Sequence, residues 1–195
     1  MPKPHNHTNA FIWCAGILCA IIAVVVIISG IVLFVGYLTI KPKIPDISVA
    51  TAQLDTIYFD QSSLLTLQVT VVIKAENDNT RARATFYNTR FSLSLGGGQK
   101  IAYLHAGTFN LAPNKSLELS YMPQSGAIPL SPEEADVVSL SMRRGVMNFD
   151  LTGTSRTRWQ FGFVHSFKFV VRVNCRLQLP LDGSAVYPNC SSRAK

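Results

Sequence analysis

Side chains able to move protons, attack carbonyls or hold metals are few in this chain, and they are scattered. Four histidines, four cysteines and 11 acidic residues are spread over 195 positions. His5 and His7 are the closest-set metal ligands, and two ligands without a third make a poor site. His105 stands in phase with Ile101, Tyr103 and Phe109. That phase predicts a partly buried, hydrogen-bonded imidazole and not a general base. His165 falls in a predicted turn. No H-E-x-x-H, C-x-x-C or G-x-S-x-G run occurs. Gly96-Gly97-Gly98-Gln99-Lys100 lacks the G-x-x-x-x-G-K-[ST] spacing of a phosphate loop and reads as a hairpin turn. Glu133 and Glu134 are accounted for by helix capping. The expectation is a non-enzyme with no catalytic residue, no metal and no cofactor.

The covalent chemistry is more suggestive. Cys175 and Cys190 flank a stretch holding Pro180, Gly183 and Pro188. A bridge between them would close a loop of about 15 residues and contribute ~3 kcal/mol in the chain-entropy account. It would also require an oxidising compartment. Asn114-Lys115-Ser116 and Asn189-Cys190-Ser191 are glycosylation acceptors if they face the secretory lumen. Cys14 and Cys19 are candidates for acylation, with small apolar filler as the plainer reading.

Non-covalent chemistry points to anions. The formal charge is +7, and only Lys3 precedes the long apolar run. Between Arg143 and Arg176 there are seven basic residues and one acid, Asp150. Arg156, Arg158, Lys168, Arg172 and Arg176 form the candidate contact patch, suited to acidic polysaccharide or anionic lipid. The same residues also read as solvated positions scattered along strands.

The elements that must position these groups begin with an apolar helix. Ala10 to Ile40 carries no charge, and 18 of residues 11–40 are Ile, Val, Leu or Phe. A bilayer core needs about 20 apolar residues, whereas a secretory signal has an apolar core of roughly 7–15. The expected organisation is a short cytosolic tail (1–10), a retained transmembrane helix (11–40), an exterior domain (41–190) and a tail (191–195). Lysines on both flanks nearly balance the positive-inside rule. The late cysteines and the sequons tip the orientation towards a cytosolic N-terminus. Gly16 and Ala20 give a small-x-x-x-small pair that would suit a homo-oligomer.

After Lys41 the dominant period is two. Leu65, Leu67, Val69, Val71 and Ile73 share a face in "LLTLQVTVVIKAE". Phe167, Phe169, Val171, Val173, Cys175, Leu177 and Leu179 share one in "FKFVVRVNCRLQL". "TRWQFGF", "FYNTRFSLSL", "KIAYLHAGTFNL", "LELSY" and "VMNFDL" are shorter versions. Turns are expected at Asn77-Asp78-Asn79, Gly96-Gly97-Gly98, Pro113-Asn114, Gly153 and His165-Ser166. Seven or eight half-buried antiparallel strands predict a mainly β fold, an antiparallel β-sandwich. "SPEEADVVSLSMRRG" breaks the pattern. Ser131 as N-cap, Pro132 at the first position, Glu134 closing a capping box and Gly145 as terminator predict one short helix. Its apolar face is Ala135, Val138 and Met142.

This ordered set resembles the plant NHL family, which is similar to the non-race-specific disease-resistance and harpin-induced proteins. The matching stretches are "KPKIPDISV", "LLTLQVTVVIKAENDN" and "FKFVVRVNCRLQL". Asn77-Asp78-Asn79 stands where the family usually has Asn-Pro-Asn, with Phe86-Tyr87 downstream. The resemblance implies a late-embryogenesis-abundant group-two domain, fibronectin-III-like in architecture. It also implies a plasma-membrane, non-enzymatic protein of defence or stress, acting through other membrane proteins or the cell wall. The function expected is a membrane-anchored interaction module whose exterior sandwich binds a protein partner or cell-wall polymer, with no nucleic-acid role in that compartment. The alternative is a lipid-binding or lipid-transfer sandwich, with Trp159, Phe161, Phe163, Phe167 and Phe169 around an acyl groove. Those aromatics also read as ordinary core.

Overall fold

A computed structural model describes residues 10–39, 43–96, 98–161, 165–190 and 192–194. The chain forms two compact units, Met1–Pro42 and Lys43–Lys195. In the first, helix α1 spans Ala10–Thr39, one residue earlier at each end than the sequence suggests. Its side chains from Ile12 to Val35 are all exposed. A helix apolar on every side has no single stripe to lay on a soluble core. The stretch Ile12–Gly36 is long and apolar enough to cross a membrane, by length and composition.

The second unit is built from ten strands among the described residues: β1 (Asp46–Phe59), β2 (Leu64–Asn77), β3 (Ala82–Leu95), β4 (Lys100–Ala106), β5 (Phe109–Leu111), β6 (Lys115–Tyr121), β7 (Ile128–Pro129), β8 (Val146–Phe161), β9 (His165–Pro180) and β10 (Arg193–Ala194). The strands beyond the seven or eight expected are short, β5 having three residues and β7 and β10 two each. One sheet runs β1-β2-β6, with β7 also on β2; the other runs β10-β9-β8-β3-β4, with β5 also on β3. Every ladder is antiparallel. The two inner faces meet in a single apolar cluster. Leu65, Leu67, Val69, Val71 and Ile73 of β2 lie in it with Phe149 and Leu151 of β8 and Val173, Cys175 and Leu177 of β9. Period-two alternation drives this arrangement, because burying one face of each strand removes its apolar side chains from water while the polar ones stay solvated.

Helix α2 (Pro132–Arg144) has the expected cap. The Glu134 amide donates to Ser131 Oγ, the Ser131 amide donates to the Glu134 carboxylate, and Gly145 ends the helix in the left-handed region at φ 73°. Val138 is fully buried, with Ala135 and Met142 beside it against the core.

Three expectations are corrected. Gly153 is not a turn. It lies mid-strand in β8, paired with Phe91 and Val173. A Cβ there would come 2.1 Å from the Phe91 ring, so glycine marks a close approach. "VMNFDL" and "TRWQF" are therefore one strand of 16 residues. His165 and Ser166 are likewise not a turn but the start of β9, paired with Phe161 and Gln160. His105 is exposed, not partly buried. An irregularity between Leu93 and Ser94 lets Ile101 fall between paired positions. The parity of β4 flips there, so Leu104 turns inward and Tyr103 and His105 turn out. Phe109 belongs to a separate strand beyond Gly107.

Two local devices fix the ends. The buried Asn77 side chain donates to the Ala82, Leu111 and Ala112 carbonyls and accepts from Asn79. Asn79 then accepts from the Lys43 amide at 2.9 Å and donates to the Lys43 carbonyl. The Asn77-Asp78-Asn79 turn thus clamps the first residue of the unit. At the other terminus, residues 186–190 and 192–194 lie along both β1 and β9. Ala52 and Val186 exchange backbone hydrogen bonds at 3.0 and 2.8 Å, and the Val49 amide donates to the Cys190 carbonyl. Ser192 bonds to Asp46, the Ile47 amide donates to Ser192 Oγ, and Arg193–Ala194 pair with β9 as β10. Arg193 and Ala194, within the stretch expected as a tail (191–195), thereby extend the larger sheet.

Candidate functional site

The five basic residues picked out in the sequence all stand on the outer face of the larger sheet. Arg156 and Arg158 project from β8 and Lys168, Arg172 and Arg176 from β9, each exposed. Period two explains this directly. Their neighbours Ser155, Thr157, Trp159, Val171 and Cys175 are buried.

The structure adds residues the sequence reading missed. Arg83 and Arg90 of β3, Lys100 of β4 and Arg193 of β10 are exposed on the same sheet. Arg83 and Arg90 are seven positions apart, an odd number that would put them on opposite faces of a regular strand. A β-bulge reconciles them: Tyr87 pairs with Arg156 and Arg90 with Thr154, so Asn88 and Thr89 together oppose Ser155. Asn88 sits at φ 52°, a left-handed conformation that Asn tolerates better than most residues. Before the bulge Ala82, Ala84 and Phe86 face inward; after it Thr89, Phe91, Leu93 and Leu95 do. The signal available in the sequence was that change of apolar parity.

Cross-strand register then assembles rows. His105, Arg90, Thr154, Arg172 and Arg193 lie side by side across β4-β3-β8-β9-β10. At ~4.8 Å per strand the row spans about 19 Å. Thr85, Arg158 and Lys168 form another, and Ser94, Asp150 and Arg176 a third.

Charge is segregated between the two sheets. The strands of the larger sheet carry nine Lys and Arg and one acid, Asp150, which pairs with Arg176 at 3.5 Å. Those of the smaller sheet carry four acids and two lysines. Lys74 meets Glu76 at 2.6 Å. The hydrogen bond and charge of Glu76 hold the Lys74 ammonium protonated above the ordinary lysine range. Asp55 accepts from Gln53 and Thr70, each at 2.7 Å. Arg90, Arg156, Arg158, Lys168 and Arg172 have no acidic partner among the described residues. Uncompensated like charge on one face repels itself and concentrates anions.

The remaining candidates are placed as follows. Cys175 and Cys190 form a disulfide with a Cα–Cα distance of 5.6 Å. Asn114, in the turn before β6 at φ 53°, and Asn189 are both exposed. Cys14 and Cys19 are exposed free thiols on α1. Among the aromatics, Trp159 is buried with its ring 5.7 Å from that of Phe167, and Phe167 is 55% exposed. Phe169 packs against the core. Phe163, the Phe161 side chain, His5, His7, Gly97 and the His165 side chain lie outside the described residues. No group of three His, Cys, Asp or Glu able to hold a metal is present among the described residues.

Two of the surface depressions that adjoin this sheet are lined by its basic residues. One, of about 300 Å3, lies between α2 and the ends of β8 and β9; its charged groups, Asp150 and Arg176, already satisfy each other. The second, of about 270 Å3, opens at the β3 bulge and is lined by Arg90, Arg156 and Arg172.

The chain matches no family model and no curated protein. Among solved structures it is similar to a protein from Archaeoglobus fulgidus known from its crystal structure, at 11% identity and a TM-score of 0.33 over 68% of this chain and 97% of that one.

Proposed function

We propose that this protein is a single-pass, plasma-membrane-anchored, non-enzymatic interaction module of plant defence or stress responses. Helix α1 is the retained anchor, residues 1–10 are cytosolic, and the sandwich lies outside the cell. The outer face of the larger sheet contacts an anionic partner, an acidic cell-wall polymer in the first instance and acidic surfaces of membrane proteins by the same chemistry. The observation that carries this reading is the segregation of charge, nine bases against one acid on the strands of one sheet. The Cys175–Cys190 disulfide supports an oxidising compartment, and the exposed sequons Asn114 and Asn189 are compatible with it.

Such a face binds through several weak contacts, so affinity falls as salt screens them; the Debye length shortens from about 10 Å at 0.1 M to about 3 Å at 1 M. The test uses the full-length chain in zwitterionic lipid nanodiscs with polygalacturonate. Binding is expected at 0.1 M salt, lost at 1 M, and abolished when Arg156, Arg158, Lys168, Arg172 and Arg176 are changed together to Gln. Binding that survives that replacement removes the sheet face as the contact.

A further inference from the structure

The groove at the β3 bulge differs from the rest of the basic face. Its rim holds three guanidinium groups, Arg90, Arg156 and Arg172, from three adjacent strands. None of them pairs with an acid among the described residues. Thr154 lies between Arg90 and Arg172 in the same cross-strand row. Below them the buried Ser155 and Thr89 hydroxyls are hydrogen-bonded at 2.7 Å. The next residue along the row, Arg193, directly opposes Arg172.

Three features here work against stability. Like charges directly opposite on neighbouring strands destabilise a sheet. A bulge leaves an extra residue out of the ladder, and bulges recur beside functional sites where they re-aim a side chain. A non-glycine residue at positive φ costs energy that the surrounding structure must offset. The bulge and the left-handed Asn88 lie at the groove itself and the opposed Arg172–Arg193 pair at its edge, where the sheet surface holds a concave site of about 270 Å3. Without the bulge, Arg90 would share a face with the core.

We propose that this groove is a discrete oxyanion site, in which Arg90, Arg156 and Arg172 hold one carboxylate, sulfate or phosphate group of a larger ligand. Guanidinium forks are planar and bind such groups through paired N–H donors, which an ammonium cannot do. The hydroxyl of Thr154 supplies a neutral donor in the same row. The proposal deepens the anionic-partner reading and rests on it. It adds that the polymer or acidic surface is held at a fixed point by one bound group, with the remaining bases contributing a diffuse field.

Single substitutions of equal charge separate a site from a field. The full-length chain in zwitterionic nanodiscs is titrated at 0.15 M salt with a galacturonate oligomer of defined length, with inorganic sulfate, and with inorganic phosphate. Arg90→Gln is compared with Arg158→Gln, which removes the same charge from the same face outside the groove. Losing charge-assisted hydrogen bonds costs about tenfold or more in affinity. Arg90→Gln is therefore expected to weaken the oligomer at least about tenfold and Arg158→Gln less than about threefold. Arg90→Lys, which keeps the charge and loses the fork, is expected to recover only part of the loss. Sulfate and phosphate are expected to compete with the oligomer. Equal losses for the two glutamine variants overturn the groove and leave the diffuse face standing. Saturable, Arg90-dependent binding of sulfate or phosphate without any binding of galacturonate upholds the groove and removes the wall-polymer reading. Failure of all three anions to bind the unmodified protein overturns both.

Discussion

At the scale of single residues, the sandwich depends on a few side chains whose identity admits little change. Asn77 uses both ends of its amide to tie the β2–β3 turn to the β5–β6 connection and, through Asn79, to hold Lys43. Aspartate at position 78 is exposed and makes a 4.0 Å contact with the Lys43 ammonium, so proline is not needed there for the clamp. Gly153 is the clearest case of a residue chosen by its neighbour. Replacing it with Ala drives a methyl into the buried Phe91 ring, at 2.1 Å before relaxation. Overpacking of this kind costs about 1–3 kcal/mol. Gly153→Ala is therefore expected to lower the unfolding free energy, measured by denaturant titration, by that amount. Gly107→Ala, where nothing lies within 4 Å of the added carbon, is expected to be neutral or mildly stabilising. Equal effects at the two positions would show that the Phe91 contact is not what selects glycine.

At the scale of elements, the C-terminal segment is the seam of the sandwich. It bonds to the edge of the smaller sheet through Val186, Cys190 and Ser192, and to the edge of the larger one through the disulfide and β10. An edge strand left open presents unpaired backbone groups that template aggregation, and this segment covers part of two such edges. Replacing Cys190 with Ser removes the covalent tie and is expected to cost ~3 kcal/mol, roughly a 6–12 °C drop in Tm for a chain of this size. The Val49 and Ala52 amides donate into the segment. Their hydrogen exchange is expected to accelerate in the variant while the buried amides of β2 keep their protection. Uniform loss of protection across both sheets would mean that the disulfide stabilises the whole core and not the seam. Helix α2 is by contrast self-sufficient in its caps and depends on the core through one stripe, Ala135, Val138 and Met142.

At the scale of the whole molecule, charge and topology define what the protein can meet. In the proposed reading, α1 is a retained anchor and the basic sheet face and disulfide lie outside the cytosol, which membrane topology tests. On sealed microsomes, protease is expected to leave residues 43–195 intact and to cut them once detergent opens the vesicles. Deglycosylation is expected to remove one or two glycans, at Asn114 and Asn189. Digestion of the domain in intact vesicles would place it in the cytosol and end the anchored-exterior reading.

Much of this was legible in the sequence wherever local pattern alone decides structure. An uncharged run with 18 large apolar residues in positions 11–40 specifies a lipid-compatible helix whatever follows it. The unbroken alternation in β2 and most of β9 specifies which side faces the core, because each strand there is regular and buried on one face. Ser131, Glu134 and Gly145 specify α2 through hydrogen bonds that close within the segment. What the tertiary structure decided was parity and partnership. The bulge at Asn88–Thr89 moves Arg90 to the face of Arg83, and the irregularity opposite Ser94 turns His105 outward. The pairing of β10 brings Arg193 beside Arg172. Each depends on the register of a partner strand distant in sequence, and a one-residue slip in register exchanges the two faces of everything beyond it.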